Sequence, residues 1–188
     1  MFEIRFDNST LRVGVLFLVT AVAVLTLDGG GYAPLCLLLS LLHECGHLAA
    51  FALFGRMPRL IEIGLGGIRI EHPPEGLTYR QNLLVSAAGP AVNFLSAGVL
   101  CLFHEREAAL AALLLGGFQL LPVLSLDGGQ MLLCLLSSRG DPDRAERTLR
   151  VVSVVLLCLA TVPAALLFLR SRNASLLLAV LYLLLRQK

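Results

Sequence analysis

The chain has 188 residues, 57% of them hydrophobic and 15% charged, with a formal net charge of +2; an average soluble domain carries ~25% charged residues. Several apolar blocks reach the ~17–20 residues that a membrane-crossing helix needs. Composition therefore excludes an ordinary soluble domain and predicts an all-α polytopic membrane protein of about six helices in a lipid bilayer. Fourteen of the fifteen basic residues are arginine, which reads as bias toward Arg, Ala, Leu and Gly rather than phosphate binding, so no nucleic-acid partner is expected.

In chain order, the predicted spans run from about Leu11 to Leu27, Ala33 to Phe54, Leu83 to Phe103, Ala108 to Leu136, Val151 to Leu169 and Ala174 to Leu185. The N-terminus is polar and then apolar, lacks a small-residue cleavage site, and is expected to be a retained first helix. The fourth block is too long and too broken for one helix, with Pro122 and the pair Gly128–Gly129 around Asp127. Broken backbone at membrane depth is tolerated only inside protein or beside a wet cavity, so the break points to a site. Between spans two and three, "MPRLIEIGLGGIRIEHPPEGLTYRQN" alternates in part over Ile61 to Glu71 around Gly64, Gly66 and Gly67. Two short strands linked at the glycines are predicted. A capping hairpin and an exposed edge able to pair with an extended peptide both fit that pattern. His72 reads as a surface residue and His104 as part of a solvated connector. The charged stretch "SSRGDPDRAERTLR" reads as a solvated cytoplasmic loop, with room for a helical turn leading into span five.

One domain is expected over 1–188, with a catalytic core at about 33–136 and C-terminal helices at about 151–185. With six crossings the termini share a side. That side would hold twelve basic residues (Arg5, Arg12, Arg56, Arg59, Arg69, Arg80, Arg139, Arg144, Arg147, Arg150, Arg186 and Lys188) against three (Arg106, Arg170 and Arg172) opposite. The positive-inside rule then places both termini in the cytoplasm. Cys36, Cys45, Cys101, Cys134 and Cys158 form no C-x-x-C pair and read as buried reduced thiols.

The second span carries "HECGH". His43 and His47 are i and i+4, so their imidazoles leave one helix face a turn apart and can grip one Zn²⁺. Glu44 sits beside the first ligand, where it could act as general base toward a water. Cys45 is two residues from each histidine and points to another face. A catalytic zinc wants three protein ligands, and Asp127 is the remaining acidic residue in an apolar span flanked by backbone breakers. A lone intramembrane histidine often only hydrogen-bonds a neighbouring helix. Three ionisable groups in five residues at metal spacing favour metal binding instead.

"HECGH", "AAGPAVN" and "LPVLSLDGG" resemble, in order and spacing, the site-2 protease family of intramembrane zinc metalloproteases, and look most like its stage IV sporulation protein FB branch. The resemblance implies that His43, His47 and Asp127 bind zinc and that Glu44 is the catalytic base. It also implies a catalytic role for Asn93, whose amide could donate to the developing oxyanion, and assigns Gly89 and Pro90 to the start of that helix. It favours the strand segment, through Ile61, Gly64, Gly66, Gly67, Ile68 and Ile70, as the edge on which substrate is laid. Gln119 stands where the relatives commonly have Asn, and Ser125 where proline is common. The last span lies three residues from Lys188, so the nucleotide-sensing domain of the best-known sporulation member is expected to be missing.

The function implied is hydrolysis of a peptide bond in or near a transmembrane segment of a membrane-tethered protein, such as a sigma factor precursor or anti-sigma factor, in the bacterial cell membrane. A membrane-protein inhibitor or regulator is a further expected partner. The alternatives are a zinc-binding membrane scaffold without activity and, less readily, a metal transporter, whose ligands should be strung along a path rather than converge.

Overall fold

A computed structural model describes residues 2–6, 9–28, 31–64, 67–71, 76–171 and 175–185. The elements in order are β1 (Phe2–Phe6), β2 (Ser9–Val13), α1 (Val15–Leu27), α2 (Tyr32–Leu53), β3 (Leu60–Gly64), β4 (Gly67–Glu71), α3 (Tyr79–Leu102), α4 (Arg106–Gln119), α5 (Asp127–Ser137), α6 (Pro142–Ser171) and α7 (Ser175–Leu185). They fall into two compact units, Met1–Gly117 and Phe118–Lys188.

Among the described residues, three helices are long and apolar enough to cross a membrane: Tyr32–Leu53, Tyr79–Leu102 and Pro142–Arg170. Val15–Thr26 and Leu176–Leu185 are shorter apolar helices. Val19 and Val22 on α1, and Leu159, Val162 and Leu166 on α6, are more than half exposed. Apolar faces of that extent suit lipid, not water. The multi-pass membrane architecture predicted from composition is thus present. Cys36, Cys45, Cys101 and Cys158 belong to these outward faces and only Cys134 is buried, which corrects the expectation of buried thiols.

In the first unit, α2 and α3 form an antiparallel pair. The buried positions of α2 include Leu39, His43, His47 and Phe51, and those of α3 include Val85, Gly89, Asn93 and Ala97. Both sets repeat every four residues, the spacing of a single helix ridge. Leu39, Ala97 and Ala112 of α4 close one end of the seam; Ala50, Phe51 and Val85 close the other. Gly46 allows the close approach, because a Cβ there would lie 2.7 Å from the Ala88 carbonyl oxygen. The start of α2 is fixed by Asp28, whose Oδ2 accepts from the Ala33 amide at 2.7 Å, and by Pro34 in the first turn, where a missing amide is harmless. Thr78 caps α3 in a reciprocal box with Gln81, satisfying amides that have no partner within the helix.

A four-stranded sheet of order β1-β2-β3-β4 accompanies these helices. The hairpin β3–β4 follows the second helix as predicted. The N-terminal pair was not predicted: β1 and β2 are antiparallel, and β2 runs parallel to β3 across the α1–α2 connection. Phe2, Ile4 and Phe6, then Leu11 and Val13, do alternate with polar residues, a period-two pattern masked by the apolar run that follows. The first span therefore begins at Val15, not Leu11. The register sets Glu3 opposite Arg12, Arg12 opposite Glu62 and Glu62 opposite Arg69, so opposite charges alternate across the sheet, a favourable cross-strand pattern. His72 lies outside the described residues, and His104 sits in the α3–α4 turn with φ 62°.

In the second unit, Val123, Leu126, Leu157, Ala164, Val180 and Leu183 make one core from the α4–α5 connection, α6 and α7. The break predicted around Pro122 is present: α4 ends at Gln119 and α5 starts at Asp127. Gly128 and Gly129 are obligatory there, since a Cβ on either would lie 2.1 Å from the Leu120 oxygen or 2.0 Å from the Val123 oxygen. The exposed backbone polar groups of the break are met by side chains. Ser153 Oγ accepts from the Leu124 amide at 2.8 Å and donates to the Leu149 carbonyl at 2.8 Å; Gln130 Nε2 donates to the Leu124 carbonyl at 2.7 Å. From Pro142 onward the charged stretch before span five is not a loop but the first turns of α6. Asp141 accepts from the Asp143 amide, Pro142 takes the first helical position, and Arg150 pairs with Glu146 one turn away.

Ser153 is fully buried, so Ser153→Ala orphans the Leu124 amide and should destabilise the chain by ~1–3 kcal/mol. Thermal unfolding in detergent reads this as a lower Tm; an unchanged Tm would remove Ser153 from the support of the break.

Candidate metal centre

His43 and His47 project from one face of α2 into the seam with α3, and are 3% and 7% exposed. Their rings are nearly perpendicular, with centroids 4.8 Å apart. His47 Nδ1 lies 2.8 Å from the Val85 carbonyl oxygen. A carbonyl only accepts, so Nδ1 carries the proton and Nε2 presents a lone pair. That lone pair faces His43 Nε2 at 3.1 Å. Pro90, in the next turn of α3, has no amide for the Ser86 carbonyl, which loosens the helix ladder beside the carbonyl that holds His47.

The two Nε2 atoms converge above Gly89. A Cβ on that residue would sit 2.4 Å from His47 Nε2 and 2.7 Å from His43 Nε2, so the missing side chain leaves room between the nitrogens. Two zinc–nitrogen bonds of about 2.05 Å at a tetrahedral angle separate their nitrogens by about 3.3 Å. The observed 3.1 Å is close to that span, and neutral imidazoles are borderline-soft donors suited to Zn²⁺. The pair fits one zinc ion.

Asn93 is 0% exposed, with Nδ2 2.9 Å from His43 Nδ1. Sequence reasoning set this residue near the reaction centre; its amide is engaged on the outer nitrogen of a histidine. Glu44 is half-buried and follows His43 on α2, while Cys45 is exposed on a different face. Asp127, in the second unit, is the first residue of α5 and is half-buried. At its flanks, Gln119 Oε1 and Ser125 Oγ are buried without a hydrogen-bond partner among the described residues.

Of the strand residues expected to hold substrate, Ile61 and Gly64 lie on β3, which has both edges taken by β2 and β4. Gly67, Ile68 and Ile70 lie on β4, an outer strand, and Gly66 lies outside the described residues. An added strand could therefore pair along β4 but not along β3. The supports that sequence reasoning missed are Val85, known only through its carbonyl, and Ser153 and Gln130. A backbone acceptor leaves no mark in residue type. Ser153, a hydroxyl in the apolar run of span five, did carry a signal.

No family model matches the chain. It is 28% identical over 144 residues to zinc metalloprotease MJ0392 of Methanocaldococcus jannaschii, covering 66% of this chain and 41% of that protein. The chain thus spans less than half the length of that relative. Its fold is similar to that of a site-2 protease from Methanocaldococcus jannaschii, with a TM-score of 0.69 and 21% identity, over 99% of this chain and 94% of that one. The likeness to the site-2 proteases read from three short motifs holds in the fold, and the sequence likeness is to a zinc metalloprotease.

Gly89→Ala should abolish stoichiometric zinc binding and add an overpacking penalty of ~1–3 kcal/mol. Metal analysis of the purified protein checks it; one zinc per chain in this variant would contradict the site above Gly89.

Proposed function

We propose that this chain, which has the site-2 protease fold, is an intramembrane zinc metalloendopeptidase that hydrolyses a peptide bond in or near a transmembrane segment of a membrane-tethered protein. The observation that carries the reading is the pair of buried imidazoles whose Nε2 atoms meet 3.1 Å apart above Gly89. Burying polar groups is costly even when they are hydrogen-bonded, and two histidines and an asparagine would be an expensive way to build a mere helix seam.

His43 and His47 would hold the metal through Nε2, and Asp127, the residue that the "LPVLSLDGG" resemblance names, would complete the ligand set. When bound, zinc supplies a Lewis acid that polarises the scissile carbonyl and lowers the pKa of water to ~7. The Val85 carbonyl keeps His47 in the tautomer that can ligate. Glu44 takes a proton from the attacking water and gives it to the leaving amine nitrogen, so the carboxylate ends each turnover as it began. A helix shields its own amide bonds, so the substrate must unwind locally. The outer edge of β4, along Gly67, Ile68 and Ile70, would hold it extended by strand addition.

With six crossings, the excess of arginine between the spans on one side supports cytoplasmic termini; a bacterial cell membrane is suggested by the sporulation branch, by analogy alone. A sigma factor precursor or anti-sigma factor, and a membrane-protein regulator, are the partners that the sporulation branch suggests, by analogy alone.

Glu44→Gln should keep one zinc per chain while cleavage of a co-expressed membrane-tethered substrate falls by ~10²–10⁴, the range for loss of a general acid–base group. Undiminished cleavage by that variant would sink the protease reading. Asp127→Ala should lower zinc occupancy, and full retention of metal would strike Asp127 from the ligand set.

A further inference from the structure

The second unit holds a cavity of about 410 Å³ between the α4–α5 connection, α6 and α7, and every side chain that lines it is apolar. Val123, Leu126, Leu157 and Val180 form its floor. The same four belong to the core of the unit, so the cavity is a gap in that core rather than a dent in an outer face. Protein interiors are close-packed, with few voids larger than a water molecule. A gap of this size falls instead among ligand pockets, which run from ~300 to 1,000 Å³. Left empty, it would forfeit contacts along its whole wall.

The rim shows what lies outside. Leu121, Leu159 and Leu176 line the cavity and are 40%, 66% and 42% exposed. Leu159 lies nine residues after Arg150 and eleven before Arg170, or ~14 and ~16 Å along the helix. The rim therefore stands near the middle of the span Pro142–Arg170. It is continuous with the outward face of α6, on which Val162 and Leu166 are also more than half exposed. At that depth the surroundings are hydrocarbon.

Depth and chemistry together fix the occupant. A lipid headgroup or a water-soluble ligand does not belong at the middle of a bilayer, and no lining side chain could bond to one. A stretch of substrate peptide would bring backbone amides that need partners there, and the walls offer none. A hydrocarbon tail needs no partner, and the bilayer surrounds the rim with tails. We propose that the cavity is a binding site for one acyl chain of a membrane lipid, which enters past Leu159 and Leu176. The tail packs against Val123 and Leu126, so lipid completes one side of the connection that leads into Asp127. The membrane thus supplies part of the support for the break.

The inference rests on the membrane architecture and not on the protease reading. Native mass spectrometry of the full chain, released from mild detergent, counts retained phospholipid for wild type, Ala160→Phe and Leu166→Phe. Ala160 lines the cavity, so a phenyl ring there fills the space of the tail; Leu166 lies on the outward face and serves as control. Wild type and Leu166→Phe should each keep one phospholipid per chain, and Ala160→Phe should lose it. Wild type without lipid, or Ala160→Phe with as much as wild type, would overturn the proposal. A cavity that takes a substrate side chain instead would leave the lipid on Ala160→Phe and slow cleavage of a membrane-tethered substrate, which overturns it equally. A measurement that needs no variant uses wild type in vesicles of phosphatidylcholine carrying a diazirine at mid-chain. Irradiation should label the segment containing Val123 and Leu126. Label confined to outward residues such as Leu166 and Leu181 would contradict a tail in the cavity.

Discussion

The seam between α2 and α3 must bury two imidazoles at membrane depth, and the rest of the first unit follows from how that is done. Every ring nitrogen there needs a partner, because lipid offers none. The Val85 carbonyl and the Asn93 amide serve the outer nitrogens, and Gly89 leaves the inner pair a shared space. The period-four stripe then does double duty. Leu39 and Phe51 on α2, with Ala97 and Val85 on α3, close the seam at both ends, so the polar groups sit between two apolar contacts. Gly46 sets the helix separation that makes the seam narrow enough for histidine to reach across.

The second unit solves a related problem with different means. A broken chain between α4 and α5 exposes backbone groups that lipid cannot satisfy, and Ser153 and Gln130 take up those of Leu124. Gly128 and Gly129 let the connection fold over the start of α5, which sets Asp127 at a helix N-terminus, a favourable place for a carboxylate. The break is therefore a supported structure rather than a weak point.

The candidate site was legible where function constrains residue type. His43, Glu44 and His47 announce themselves by spacing and Asp127 by its helix breakers, whereas Asn93 came only through the resemblance of "AAGPAVN", and Gly89, expected at the start of its helix, lies in the middle of α3. What could not be read was of two kinds. The Val85 carbonyl is backbone, and any residue supplies one. The pairing of β2 with β3 joins segments separated by two helices, and the alternation in Phe2–Phe6 and Ser9–Val13 is too short to stand out beside an apolar run. The charged stretch ahead of span five was misread because its charges are intermixed. Their i,i+4 placement, with Asp141–Pro142 ahead of them, was the helix signal. The placement of Ile61 and Gly64 on an inner strand likewise depended on β2, whose presence the hairpin pattern alone does not announce.

The central claim is that His43 and His47 are buried as a pair because they hold one zinc ion. X-ray absorption at the zinc edge, on full chain loaded with one equivalent of zinc, tests it most directly. The account predicts two imidazole ligands at about 2.0–2.1 Å and no sulfur at about 2.3 Å. A zinc shell with fewer than two imidazoles, or with a thiolate such as that of Cys45, would contradict it.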